Sequence, residues 1–286
     1  MIIHPTAIID PTVELGPGVE VGPHAYIGPH CKVGEGTRIY ANAVLQGYTT
    51  LGENCQVSPG AVLGGFPQDV KFKEWPSYVQ IGDNVILREC VTVNRATGEG
   101  EATVVGDGCM LMAYAHVAHN CTLGKEVILA NSVQLGGHVE VGDYAFLGGI
   151  LAIHQFVKIG RLAIISGGSA SRQDIPPFSM SDGRPAVVVG INKVGMKRRG
   201  YDLASRTRIK KAFQLLWFSG MNHKQALEAI RNEIEMDDSV QELISFVENS
   251  KRGVRRPHEM MRNDLDRPDS QEGASEALAE NLMECM

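Results

Sequence analysis

Aliphatic side chains recur every six residues along most of this chain. Ile3, Ile9, Leu15, Val21, Ile27, Val33, Ile39, Leu45, Leu51, Val57 and Leu63 keep one phase, which returns at Ile81, Leu87 and Val93 and then runs from Val105 to Ile165. Between positions 3 and 165 only Asp69, Trp75 and Glu99 leave that frame. A period of six matches neither the 3.6 of a helix nor the alternation of a half-buried strand. It fits a short strand followed by a tight turn, with Gly after many anchors, as in Leu15-Gly16, Val21-Gly22 and Ile159-Gly160. Three such units close one triangular coil, and coils stack about 4.8 Å apart through parallel-strand hydrogen bonds with the aliphatic side chains inside.

The predicted fold is therefore an all-β hexapeptide-repeat parallel β-helix over residues 1–190. Segments 65–78 and 94–104 leave and rejoin the frame in phase, as loops extruded from a turn do. Past residue 190 the spacing becomes helical. RIKKAFQLLWFSG (208–220) ends at Gly220, Asn222 is a candidate N-cap for HKQALEAIRNEIEM, and SVQELISFVENS follows. A small C-terminal α-helical domain over 191–256 is expected to cap the strand edges at the open end of the stack. The polar segment 257–286 reads as a disordered tail.

Composition sharpens this picture. Thirty-two Gly with only 6% aromatic residues favour a turn-rich repetitive fold over a core packed around large rings. A net charge of −6 argues against a nucleic-acid partner. No apolar run is long enough to span a bilayer, and the start, MIIHPTAIID, has no charged region ahead of an apolar one, so a cytoplasmic protein is expected. The six Cys include no CxxC pair. Cys31, Cys55, Cys109 and Cys121 each stand two positions before an anchor, where a small core-facing side chain fits. Neither a metal nor a cofactor is expected.

The repeat also converts sequence into geometry. Counting by coils gathers His116, His119, His138 and His154 near one edge of the prism, none of them at an inward anchor. The same count sets Gly137 one coil above His119, with Gln155 and Gln173 continuing the column. A glycine there lets a substrate approach the backbone, and its N–H can face a developing oxyanion. Histidine suits removal of a hydroxyl proton near neutral pH. These features point to acyl transfer onto an alcohol without a covalent enzyme intermediate, and no G-x-S-x-G elbow argues for a serine nucleophile.

At LMAYAHVAHNC, LANSVQLGGHVEVGDYAFLGG, AIHQF, QDIPPF and GINKVGMKRRG the sequence resembles the UDP-N-acetylglucosamine acyltransferases of lipid A synthesis, over residues 1 to about 253. The resemblance implies a left-handed β-helix and a homotrimer with active sites in clefts between adjacent prisms. It implies an acyl-acyl carrier protein donor and the 3-hydroxyl of UDP-N-acetylglucosamine as acceptor. It casts His119 as general base and Gly137 as oxyanion donor. Asp69, Lys71, His116, His138, His154 and Gln155 then serve the sugar and acyl regions, and Asn192, Arg198 and Arg199 the nucleotide and its phosphates. Gly149 and Gly167 share one coil position; Gly167 lies about 14 Å beyond His119 along the axis, where the resemblance marks the end of the acyl groove.

Some positions depart from the commoner family pattern. Asn120 stands where many relatives carry Asp, so a carboxylate orienting His119 from that position is absent. Asn94-Arg95-Ala96-Thr97 replaces HRGT, and Val194 an acidic residue. These leave open whether the acceptor is the 3-hydroxyl or a 3-amine of an aminated sugar nucleotide. Rival readings are the later N-acyltransferase of the pathway, whose added N-terminal domain has no room before Ile3, a γ-type carbonic anhydrase, and a non-catalytic scaffold.

Overall fold

The computed structural model describes residues 1–255, so the expectation for 257–286 lies outside the described residues. From residue 2 to 171 the chain lays down short strands in strict rotation onto three parallel sheets, the first, second and third beginning with Ile2–Ile3, Ile8–Ile9 and Glu14–Leu15, making a three-faced prism. Most strands are two residues long, an outward residue followed by an inward anchor, as in Glu20–Val21, Lys32–Val33 and Thr122–Leu123. The anchors from Val21 onward are buried and form one continuous core. Cys31, Cys55, Cys109 and Cys121 lie in that core as the spacing predicts. Burial pushes the Cys109 and Cys121 thiols up to about 12, so they stay protonated and pack as small apolar groups.

Paired strands are usually 18 residues apart, as in Gln134↔Ala152. Across the first interruption the partners are Val62↔Thr92, 30 apart, and across the second Thr92↔His116, 24 apart. The loops therefore add 12 and 6 residues to the 18-residue coil, whole multiples of six, which is why the phase survives them. Turns between faces place one residue per unit at positive φ, among them Asn54, Asn120, His138 and Ile150. Asn tolerates this conformation better than most residues, whereas Ile150, at φ 57°, is a β-branched exception.

Above the last coil the chain departs from the repeat in a way the periodicity did not foresee. Strands Ser179–Gly183 and Ala186–Ile191 form an antiparallel hairpin that extends the first sheet. Among the described residues four α-helices follow: Lys193–Arg198, Leu203–Phe213, His223–Glu233 and Asp238–Asn249. The second begins five residues before the predicted start at Arg208, capped by Asp202, and continues into a π-helical turn at Gln214–Phe218. Asn222 caps the third as expected, in a capping box with Gln225. The helices enclose a second core around Phe213, Trp217, Ile230, Leu243 and Ile244, which also takes in Leu162, Phe178 and Val188 from the prism end. That shared core seats the helical unit over the open coil. No helix among the described residues is long and apolar enough to cross a membrane.

Candidate active site

The prism has three edges, and each collects a different group of candidate residues. Between the second and third sheets lie both extruded loops and the turns carrying His119, Asn120, Gly137, His138, His154 and Gln155. This histidine edge also holds Asp69 and Lys71, on the first loop, and adjoins His116, on a strand of the second sheet. Gly149 and Gly167 lie instead between the first and second sheets, on a glycine edge. Arg199 packs on Glu126 and Tyr144, which turn from the third sheet to the first, defining an arginine edge. Counting by coils placed Gly167 at its height along the axis but did not reveal that its edge differs from that of His119.

On the histidine edge the His119 ring lies against Gly137. A Cβ added to Gly137 would sit 2.6 Å from His119 Nε2, so only glycine leaves the ring in place. Gly137 is buried, and its N–H has no acceptor among the described residues. An unpaired donor beside a histidine ring is suited to donate to an oxyanion. His119 Nδ1 is 2.9 Å from Asn120 Oδ1. His138 meets the His119 ring edge-on, with centroids 5.2 Å apart, and stacks on Phe156 at 4.5 Å.

His116 Nδ1 lies 2.7 Å from Thr92 Oγ1. Burial pushes the His116 imidazole below the ordinary histidine range, and nearby His119 acts the same way. His138 is lowered by burial and by His119, partly offset by the carboxylates of Glu101 and Asp69. Both flanking rings are therefore neutral at neutral pH, which leaves His119 free of charged imidazole neighbours. His154, by contrast, is exposed and its Nδ1 lies 2.7 Å from Arg252 Nη2, tied to the C-terminal unit.

The two loops brace each other. Trp75 Nε1 donates to Thr97 O at 2.6 Å, and Ser77 Oγ to Ala96 O at 2.6 Å. The buried Arg95 guanidinium packs 4.8 Å from the Phe66 ring and 5.4 Å from that of Phe72. Asp69 Oδ1 accepts the Lys71 N–H at 2.8 Å, a tight turn that leaves the Lys71 side chain exposed. From Asn120 and His138 a cleft of about 860 Å³ runs down the third face to the helix Asp238–Asn249, past Glu140, Lys158 and Arg161.

Asn192 is buried. Its Oδ1 accepts the Gly195 N–H at 2.8 Å and its Nδ2 donates to Leu162 O at 2.9 Å, so its side chain caps the first helix. Arg198 and Arg199 are exposed on that helix end. Sequence reasoning missed Glu101, whose Oε2 accepts from Asn120 Nδ2 at 2.6 Å. It also missed Thr97, whose N–H donates to Asn120 Oδ1 at 3.0 Å. The signal was available in the loop 94–104 rejoining the frame beside AHN.

A three-faced hexapeptide prism with a histidine ring held against a glycine backbone on one edge, and a helical cap, defines a bacterial hexapeptide transferase. The hexapeptide-transferase family model matches residues 30–65 and 102–137, and the model for domain 2 of UDP-N-acetylglucosamine O-acyltransferase matches 174–255. An acyl-[acyl-carrier-protein]--UDP-N-acetylglucosamine O-acyltransferase of Gloeothece citriformis is 50% identical over 230 residues, covering 80% of this chain and 83% of that protein. The enzyme of the same description from Thermodesulfovibrio yellowstonii is 43% identical over 253 residues, 88% of this chain and 98% of the relative. Among solved structures, UDP-N-acetylglucosamine acyltransferase from Bacteroides fragilis superposes with a TM-score of 0.86 at 36% identity, covering 89% of this chain and 100% of that one. The chain belongs to the UDP-N-acetylglucosamine O-acyltransferase family.

Proposed function

We propose that this chain transfers an acyl group from acyl carrier protein to the 3-hydroxyl of UDP-N-acetylglucosamine, the first step of lipid A synthesis. The observation that carries the mechanism is His119 held against Gly137, a general base beside an unpaired buried amide. His119 Nε2 takes the hydroxyl proton as the sugar oxygen attacks the thioester carbonyl. The Gly137 N–H stabilises the tetrahedral oxyanion, which collapses to the ester and expels the carrier thiolate; the proton held on His119 passes to that sulfur. The carbon–oxygen bond forms in the attack, and the carbon–sulfur bond breaks in the collapse. Incubation with acyl-carrier-protein thioesters and sugar nucleotides tests this reading: the ester of UDP-N-acetylglucosamine is the expected product, and exclusive amide formation on a 3-amino sugar nucleotide would replace the alcohol by an amine. Family membership sets aside the carbonic anhydrase and scaffold readings. Acyl carrier protein as the donor supports a reaction in the cytoplasm.

The working unit in this reading is a homotrimer with composite sites. Six residues separate one edge of the prism from the next, a path of roughly 15–20 Å, so the histidine, glycine and arginine groups do not converge in one copy. The histidine edge is the vertex opposite the first face, and the other two groups lie along the borders of that face. Seating the histidine edge of one copy beside the first face of the next brings all three around one cleft. Apolar side chains exposed on the edges, Tyr114 at 62% and Ile150 at 69%, would be covered by such packing.

Two substitutions separate the parts of that cleft. Arg199→Ala is expected to raise KM for the sugar nucleotide roughly 10-fold or more, the scale of a charge-assisted hydrogen bond to phosphate, with the thioester KM little changed. A change confined to the thioester KM would exchange the donor and acceptor regions. Gly167→Met is expected to shift preference to acyl donors shorter by several carbons while kcat on the best donor is kept. A Cβ at Gly167 meets only the Gly149 backbone and its neighbour, at 3.2 Å and beyond, so the fold accepts it with a small adjustment. An unchanged chain-length preference would remove Gly167 from the groove.

A further inference from the structure

The carboxylate missing beside His119 is supplied by another loop. Asn120 takes four hydrogen bonds on its side-chain amide, and two of them fix which way it points. Thr97 N–H can only donate, and it lies 3.0 Å from Asn120 Oδ1, with Thr97 Oγ1 at 2.9 Å from the same oxygen. The Glu101 carboxylate can only accept, and its Oε2 lies 2.6 Å from Asn120 Nδ2. Oδ1 must therefore be the atom 2.9 Å from His119 Nδ1, and Nδ1 must carry the proton of that bond. The lone pair is left on Nε2, the nitrogen beside Gly137.

We infer that Glu101 is a positioning residue, acting through Asn120 to hold His119 in the tautomer that accepts a proton at Nε2 and to place a negative charge behind the imidazolium that forms. This rests on the reading of His119 as the base. The arrangement has the logic of an Asp–His pair with an amide interposed, so that the carboxylate is one hydrogen bond further out. Glu101 also accepts the Gly98 N–H at 3.2 Å, which ties the relay to the turn of the second loop.

Moving the carboxylate from one residue to the other supplies the test. In Glu101→Gln the hydrogen bond to Asn120 Nδ2 can persist but the charge is gone. We expect kcat to fall about 10-fold or more, the scale of outer-shell carboxylates, with both KM values within about two-fold of the parent. Asn120→Asp alone sets two carboxylates face to face where 2.6 Å now separates an amide nitrogen from an oxygen, and it too should lower kcat. The double variant Glu101→Gln/Asn120→Asp has one carboxylate again, now directly on His119, with the amide introduced at position 101 donating to it, and should recover kcat to within about three-fold of the parent. A role confined to holding the loop would lower the melting temperature without this reciprocal rescue. Parent-like kcat in Glu101→Gln, or a double variant no better than the worse single, each measured on protein shown to be folded, would overturn the inference. His119→Ala in the same assay separates the two readings. If it keeps its rate, the base assignment fails and takes this one with it; if it is inactive while Glu101→Gln is normal, only the role of Glu101 is lost.

Discussion

His119→Ala is expected to fold as the parent does and to lose about 10²–10⁴-fold in kcat, the contribution of a positioned general base. The fold should survive because His119 lies in a turn on the prism edge and takes no part in the core of anchors. Its ring touches Gly137 and Asn120, and its loss leaves an edge that water can fill. No neighbouring group replaces it. His138 is lowered by burial and stacked on Phe156, and His116 is held against Thr92, so neither ring reaches the position beside Gly137 without breaking its own contacts. Steady-state rates with saturating thioester and sugar nucleotide, beside a melting curve, check this. A variant that kept more than about a tenth of the parent rate would exclude His119 as the base.

Gly137→Ala should be nearly as damaging, for a different reason. The Gly137 backbone is not at positive φ, and an added methyl meets the imidazole of His119 rather than main chain. The ring must swing away, which strains its bond to Asn120 and moves Nε2 from the amide that would bind the oxyanion. A displacement of about 1 Å at reacting groups costs on the order of 10² in rate, and kcat is expected to fall by that factor or more with the melting temperature close to the parent's. Gly136→Ala is the control. There the methyl meets the Gln155 backbone nitrogen at 2.7 Å, so the coil stacking suffers and stability should fall first. If Gly137→Ala were fully active, the close approach of His119 to this glycine would have no bearing on the reaction.

The contrast between these neighbours shows what the sequence could convey. The six-residue period made the prism, the inward anchors and the core cysteines legible, because every coil repeats one rule. The column of His119 under Gly137 was legible for the same reason. Edges were harder. Gly149 and Gly167 were placed at the right height yet on an edge whose distance from His119 depends on how copies assemble. Glu101 and Thr97 escaped because they sit in an insertion, where the coil count is interrupted and position no longer follows from number. The hairpin Ser179–Ile191 lies past the repeat, and its pairing onto the first sheet is a long-range choice that local pattern does not encode. Asn192, which the family resemblance assigns to the nucleotide, also caps the first helix with its side chain, a role its motif did not announce.

In the proposed trimer each site is completed by two copies of the chain, with His119 as base from one and Arg198 and Arg199 as phosphate ligands from the next. Mixing two defective variants tests that most directly. His119→Ala keeps its arginines, and Arg198→Ala/Arg199→Ala keeps its base. Co-expressed in equal amounts and allowed to assemble at random, they form trimers in which about a quarter of all clefts, and about a third of those in the mixed trimers, receive an intact edge from each parent. At sugar-nucleotide concentrations below the parent KM, the mixture should therefore recover about a quarter of the parent rate, well above the sum of the two variants assembled separately. A mixture no more active than that sum would place base and arginines in the same copy, with the nucleotide lying across its third face, and would contradict the composite site.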